Sequence, residues 1–372
     1  MELLAIVSRR RSVFHLIGGI ATASALGFAP PVEQPIEVEP PTLRKTLRYG
    51  ALALPPGEAS DLQSPASATA AHMSTVGSLA FMRDGRTLVV GIQGQNETHG
   101  VVAIWDTGKP KPRRTLPGAL DSSQPVSLSA DNRLLASTGD DDGRPTVKIW
   151  DLGKNNLRAA FSTGQPAVLA VALSPNGKLV AWGGEANRIG IGDVPKRQER
   201  TMAAAHDGSI RALAFSPDGR MLASGAKSAK KNYLLLWDVE TGQRRSAPVG
   251  HTDDVECVAF SADGKTLATA GKDRTIRLWE VADGKQGRVF VGHEDTVHEL
   301  ALAPDGKTLA SCGADRTVKL WDIGGRQLIS IDSYTQTVRA LAFTRDGKLL
   351  ATACDDGTIK LWDVTRNTMR GD

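Results

Sequence analysis

The chain is poor in the features that mark most catalytic and nucleic-acid-binding proteins. Only three cysteines occur in 372 residues, Cys257, Cys312 and Cys354. Each lies inside an apolar, strand-like run, which fits small buried thiols better than a metal cluster or a redox pair. Aromatic residues make up 5% of the chain, and no run of lysine and arginine is interleaved with them, so nucleic-acid binding finds no support. No glycine-rich phosphate loop, Cys/His ligand cluster or nucleophile elbow is present: Gly18-Gly19 falls in an apolar N-terminal stretch and Gly183-Gly184 ends a strand-like run. The expectation is therefore no catalytic residue, no metal and no cofactor. Helical periodicity of any length is missing as well, which leaves strands as the building material.

Charge is nearly balanced, with 45 basic and 41 acidic residues. Three of the basic residues sit together at Arg9-Arg10-Arg11, ahead of a mostly apolar stretch over 13–29. A positive segment, an apolar segment and small residues near Ala25 or Ala29 have the layout of a secretory signal. Arg10-Arg11-Ser12-Val13-Phe14 also resembles the twin-arginine export motif. An exported, periplasmic location is expected, with a membrane anchor or a cytoplasmic tail added by an early start as alternatives. Residues 30–41 carry five prolines in twelve positions and read as an extended spacer.

What the chain has in abundance is repetition. Gly250-His251 leads through Asp263-Gly264 and Asp273 to Leu278-Trp279, and Gly292-His293 leads through Asp305-Gly306 and Asp315 to Leu320-Trp321. The anchor falls at Trp105, Trp150, Gly192, Trp237, Trp279, Trp321 and Trp362, spaced by 41 to 45 residues. Each unit reads as a short apolar strand, a tight turn such as Ser216-Pro217-Asp218-Gly219, two more strands and a weaker fourth. Such hairpins are not stable singly, and closure into a ring protects all but short edges.

These seven copies resemble the WD40 repeat family over roughly residues 72–366. The resemblance implies an all-β, seven-bladed β-propeller with four-stranded antiparallel blades. It also implies a hydrogen-bonded brace of His, Ser or Thr, Asp and Trp within a blade. His251, Thr269, Asp273 and Trp279 match that set completely, as do His293, Ser311, Asp315 and Trp321. Blade four offers His206, Ser224 and Trp237, with Lys231 where Asp is expected. Blade seven offers Thr352, Asp356 and Trp362, with Tyr334 at the His position. Blade two keeps Ser137 and Trp150, with Asp142 fitting after a small insertion. Blade one keeps His72 and Trp105. Blade three departs most, having Gly164, Trp182, Ala186 and Gly192 at the four positions, and is expected to be the weakest. The ring is expected to close by an N-terminal strand within 42–54 pairing onto the last blade, followed by a low-complexity loop over 55–71.

In this architecture the second-to-third-strand loops and the blade connections share one face, and the insertions fall there. Charged residues at the start of the first strands would ring its opening: Arg211, Asp254, Glu256, His298 and Arg339, joined by Lys230 and Lys231 from a long loop. The arginines suit a partner's carboxylate or phosphate. A non-catalytic scaffold that presents this face to a protein partner, as a monomer, is the expectation. A channel that binds a small ligand or carries chemistry, using Glu256, His298 and Glu299, is the alternative. A membrane-tethered regulatory or sensor ectodomain is a third.

Overall fold

Among the described residues the first strand, β1 (Thr42–Arg48), is hydrogen-bonded to the last one and completes the final blade. In the computed structural model, which describes residues 41–48, 75–93, 99–109, 111–120, 125–202, 206–228 and 233–365, the described residues form 28 strands and no α-helix. The export segment, the spacer, residues 49–71 with His72, and Lys230 and Lys231 lie outside the described residues.

The strands assemble as seven four-stranded antiparallel sheets, as the repeat spacing predicts. Blade one holds β2 (Val76–Phe81), β3 (Thr87–Ile92), β4 (His99–Asp106) and β5 (Pro112–Leu120). Blade two holds β6 (Val126–Leu128), β7 (Leu134–Asp141), β8 (Arg144–Asp151) and β9 (Asn156–Ser162). Blade three comprises β10 (Val168–Leu173), β11 (Leu179–Gly184), β12 (Gly190–Asp193) and β13 (Gln198–Thr201). Blade four comprises β14 (Ile210–Phe215), β15 (Met221–Ala226), β16 (Leu234–Asp238) and β17 (Arg244–Ser246). Blade five runs through β18 (Val255–Phe260), β19 (Thr266–Gly271), β20 (Thr275–Glu280) and β21 (Gln286–Val291). Blade six runs through β22 (Val297–Leu302), β23 (Thr308–Gly313), β24 (Val318–Asp322) and β25 (Gln327–Ile331). Blade seven has β26 (Val338–Phe343), β27 (Leu349–Cys354) and β28 (Thr358–Asp363), with β1 outermost.

The first strands touch in cyclic order, β2 to β6, β10, β14, β18, β22, β26 and back to β2, and so line a central axis. Strand β1 packs Leu47 into the core opposite Ile359, Arg44 Nε donates to Asp363 Oδ2 at 3.0 Å, and Lys45 reaches Thr107 O of blade one at 2.7 Å.

Each first-to-second-strand turn is closed by one device. In blade four, Ser216 Oγ donates to Asp218 Oδ1 at 2.5 Å and accepts from Met221 N at 2.9 Å, while Arg220 N donates to Asp218 at 3.0 Å. Gly219 supplies the positive φ of 72° that a side chain would oppose. Blades one and six lack the leading hydroxyl, and Thr87 and Thr308 on the far side of the turn bond Asp84 and Asp305 instead. All seven of these turns are five residues long.

Packing between blades rests on the anchor tryptophans. Trp279 joins the apolar cluster of blade four, Trp321 that of blade five and Trp362 that of blade six, so each indole cements its blade to the one before. Blade three keeps this contact by a different route. Trp182, on the second strand rather than the third, is 3% exposed and joins the blade two cluster, stacked on Phe161 at 5.7 Å. Gly190 and Gly192 make room, since a Cβ at Gly190 would stand 2.1 Å from Trp182 Cε2 and one at Gly192 would stand 2.8 Å from the Phe161 ring. The contact that Gly192 forgoes is thus restored by an indole from the neighbouring strand.

Candidate functional site

Two sets of polar side chains stand out, and their geometry separates them. The first is the brace. In blade five, Trp279 Nε1 donates to Thr269 Oγ1 at 2.8 Å, His251 Nε2 lies 2.7 Å from the same hydroxyl, and His251 Nδ1 lies 2.8 Å from Asp273 Oδ2. An ionised Asp273 only accepts, so Nδ1 carries the proton, Nε2 accepts from Thr269, and the chain of donors runs one way from indole to carboxylate. Burial works against the Asp273 charge, but bonds from His251 and Thr275 prevail and hold the carboxyl well below the usual range. Blade six repeats the set, with His293 at 2.7 Å from both Ser311 Oγ and Asp315 Oδ2 and Trp321 donating to Ser311 at 2.8 Å.

The remaining blades keep parts of it. Ser224 receives Trp237 at 2.9 Å and meets His206 at 2.7 Å, and Ser228 bonds Asp207 at 2.5 Å. In blade seven Tyr334 takes the imidazole's place, its hydroxyl 2.5 Å from Thr352 Oγ1 and receiving Trp362 Nε1 at 2.8 Å. A phenol has one polar atom where imidazole has two, so Asp356 receives no ring N–H and keeps the bonds from Thr358 N and Oγ1, at 3.0 and 2.6 Å, that Asp273 also receives from Thr275. Trp150 bonds Ser137 at 3.1 Å. Asp142 is not part of that brace, contrary to the sequence expectation. It occupies, with Gly143, a two-residue turn at φ 52° and 74° between β7 and β8, the conformation such hairpins require. The brace side chains are buried and satisfied by one another, which is how polar groups are tolerated in a core.

The second set surrounds the axis. In six of the seven first strands the register skips one residue, as where Val255 faces Gly271 and Cys257 faces Ala270. The skipped residue is a β-bulge, a device that re-aims side chains at barrel rims and sites. Among the bulged residues are Arg211, Glu256, His298 and Arg339, from blades four to seven in succession. All four line one cavity of about 550 Å³ at the axis, with Glu299 and Cys257 among its walls. Because of the bulge, His298 and Glu299, adjacent in sequence, both line it.

The site's electrostatics follow from enclosure. Burial and then the nearby Arg339 push His298 down to about 4, so it is neutral at pH 7. Burial raises Glu256, offset by Arg211 and Lys272, and burial alone lifts Glu299 to about 8. Arg339 Nε donates to both oxygens of Asp355 at 2.9 and 3.0 Å. Asp254 does not stand on the rim as the sequence suggests: it is 5% exposed and is held by Lys272 Nζ at 2.8 Å. Among the described residues no group of three or more His, Cys, Asp or Glu has metal-ligand geometry.

Fold and brace together define the class, a seven-bladed β-propeller. Comparison with protein families agrees: the model of the WD domain, G-beta repeat, matches residues 197–238, and that of the IFT122 first beta-propeller matches residues 227–371. The fold is a seven-bladed propeller, and over residues 197–371 the chain is similar to WD40-type propeller repeats. A search of curated proteins returned no match. Propellers of this kind commonly mediate protein interactions, and a fold alone names no partner.

Proposed function

We propose that the chain is a non-catalytic interaction scaffold that presents the loop-rich face of its propeller to a protein partner. One observation carries this reading: consecutive bulges bring Arg211, Glu256, His298 and Arg339 to a single opening on that face. Arg211 is exposed and near Glu256, and among the described residues it is in no direct ion pair or hydrogen bond, so its planar donors are available to a carboxylate. On the opposite face the turn hydroxyls and carboxylates of blades four, five and seven bond within their own turns. Rigid scaffolds that position variable loops are where recognition concentrates. The export reading of the N-terminus places the partner outside the cytoplasm, and mass spectrometry of the mature N-terminus tests that, with cleavage near residue 25 or 29 as the expected result.

The face is tested by affinity capture with three proteins: wild type, an Arg211→Glu, Arg339→Gln double variant, and a control altered on the other face, Lys265→Glu with Lys307→Glu. The rim variant should lose the captured partner and the control should keep it. Equal capture by the rim variant and wild type rules out the rim as the binding surface.

A further inference from the structure

The walls of the axial cavity form layers. The bulged residues make the upper layer. The next residue of a bulged first strand makes the layer below, and there Ser78, Ala170, Ala212 and Cys257 are small while Glu299 is the one ionisable carboxyl. Val126, Val171, Leu213 and Val258 then close the lining with apolar side chains. Glu299 keeps part of its surface on the cavity, and among the described residues nothing bonds or ion-pairs with it.

The charges around the cavity balance without it. Arg211, Arg339 and Lys272 are positive, while Glu256, Asp254 and Asp355 are negative. Four of these form two direct pairs, Arg339 with Asp355 at 2.9 Å and Lys272 with Asp254 at 2.8 Å, and Lys272 also stands 4.0 Å from Glu256. The buried thiols of Cys257 and Cys312 feel the Glu299 charge, and no cation offsets the effect of burial on Glu299 itself. An ionised Glu299 therefore has no opposite charge acting on it. Small side chains opposite it leave the space that a counter-charge would fill.

We infer that the axial cavity is a binding site for one cationic nitrogen, an alkylammonium group that enters from the loop-rich face past Arg211 and ends on the Glu299 carboxylate, its alkyl chain against the apolar wall. An unpartnered carboxyl that burial keeps largely protonated at pH 7 must release its proton when the cation arrives. The group could belong to a free amine or to a lysine on a docked protein, and the two share this chemistry. The assignment does not rest on the protein-partner reading, because it concerns the cavity wall and not the rim.

The test is isothermal titration calorimetry on the full chain with n-butylamine, with n-butanol as the uncharged control, and with the capped peptide Gly-Gly-Lys-Gly-Gly. Butylamine should bind, and butanol should bind at least about tenfold more weakly, the difference one compensated charge makes at modest strength. With the carboxyl at about 8, binding at pH 7 should release about 0.9 proton, read from titrations in two buffers of different ionisation heat, and affinity should rise nearly tenfold between pH 6 and 7. Glu299→Gln, which keeps the shape of the protonated acid, should lose the preference for amine over alcohol while melting near wild type. Binding of the peptide as well as butylamine assigns the site to a protein side chain, and binding of butylamine alone assigns it to a free amine. If neither amine binds, if no proton is released, or if Glu299→Gln binds within twofold of wild type, the inference is wrong. Unchanged partner capture by Glu299→Gln leaves the rim proposal standing, so the two readings fail separately.

Discussion

Thr269→Val is the sharpest probe of the brace. Thr269 is fully buried, accepts from Trp279 Nε1 at 2.8 Å and donates to His251 Nε2 at 2.7 Å. Valine keeps the branched shape and removes both bonds. Trp279 is 1% exposed and His251 6%, so water cannot readily replace either one. A buried polar group left unpaired costs about 1–3 kcal/mol, which for two groups gives roughly 2–6 kcal/mol. Ser137→Ala in blade two is the internal comparison, because that hydroxyl receives only Trp150, an indole that is not fully buried. It should cost about 1 kcal/mol. Urea unfolding of the two variants and wild type measures the difference, read from midpoints at unchanged slope. If Thr269→Val costs no more than Ser137→Ala, the account of the brace as a donor chain from indole to carboxylate is refuted.

Three further predictions concern the ring. Removing residues 1–55 takes β1 from the last blade and exposes Leu47's site in the core, and should lower the melting temperature by on the order of 10 °C; an unchanged value would show that the ring does not depend on this strand. Trp182→Ala should cost about 3–5 kcal/mol by opening a cavity between blades two and three, and a cost below about 1 kcal/mol would mean that Phe161 and its neighbours collapse into the space. Asp273 and Asp315 are held below their ordinary 3.8, so the stability they contribute is complete above that pH and is lost as pH falls below it. Asp273→Asn with Asp315→Asn should lower stability at pH 7 and flatten the loss of stability in acid, and a profile parallel to wild type below pH 4 would remove these carboxylates from the account.

The fold could be read from the sequence because its signals are local. An anchor every 41 to 45 residues, tryptophan in six of the seven copies, and an Asp-Gly turn in most units constrain a four-stranded unit whatever surrounds it. The complete braces of blades five and six were legible for the same reason, since their four members recur at fixed spacing. Where one member moved to another strand the spacing misled. Trp182 sits where a hydroxyl is expected, and only the pairing of Trp182 with Gly190 shows why the chain can afford an indole there. Asp142 looked like a brace residue by position, but the two-residue turn claims it. The Asp254 side chain points inward onto Lys272, a partner 18 residues away that no periodicity connects to it.

The channel was the least legible part. Strand alternation assigns neighbours such as His298 and Glu299 to opposite faces. The one-residue register skip before Glu299 cancels that rule and sets both on the axis. Sequence marked Glu256, His298 and Glu299 as axial candidates by residue type; the layer each occupies follows only from strand pairing. The missing signal is the bulge, visible in retrospect as a charged residue between two apolar ones at the start of each of β14, β18 and β26.

The claim at the centre of this account is that the loop-rich face, with its bulged rim, is the binding surface. Amide hydrogen exchange of the chain with and without its captured partner tests it most directly. The account predicts slower exchange in 207–211, 252–256, 294–298 and 335–339, with 216–221, 261–266 and 344–349 unchanged. Protection confined to those turns on the opposite face, with the rim segments exchanging as in the free chain, would contradict it.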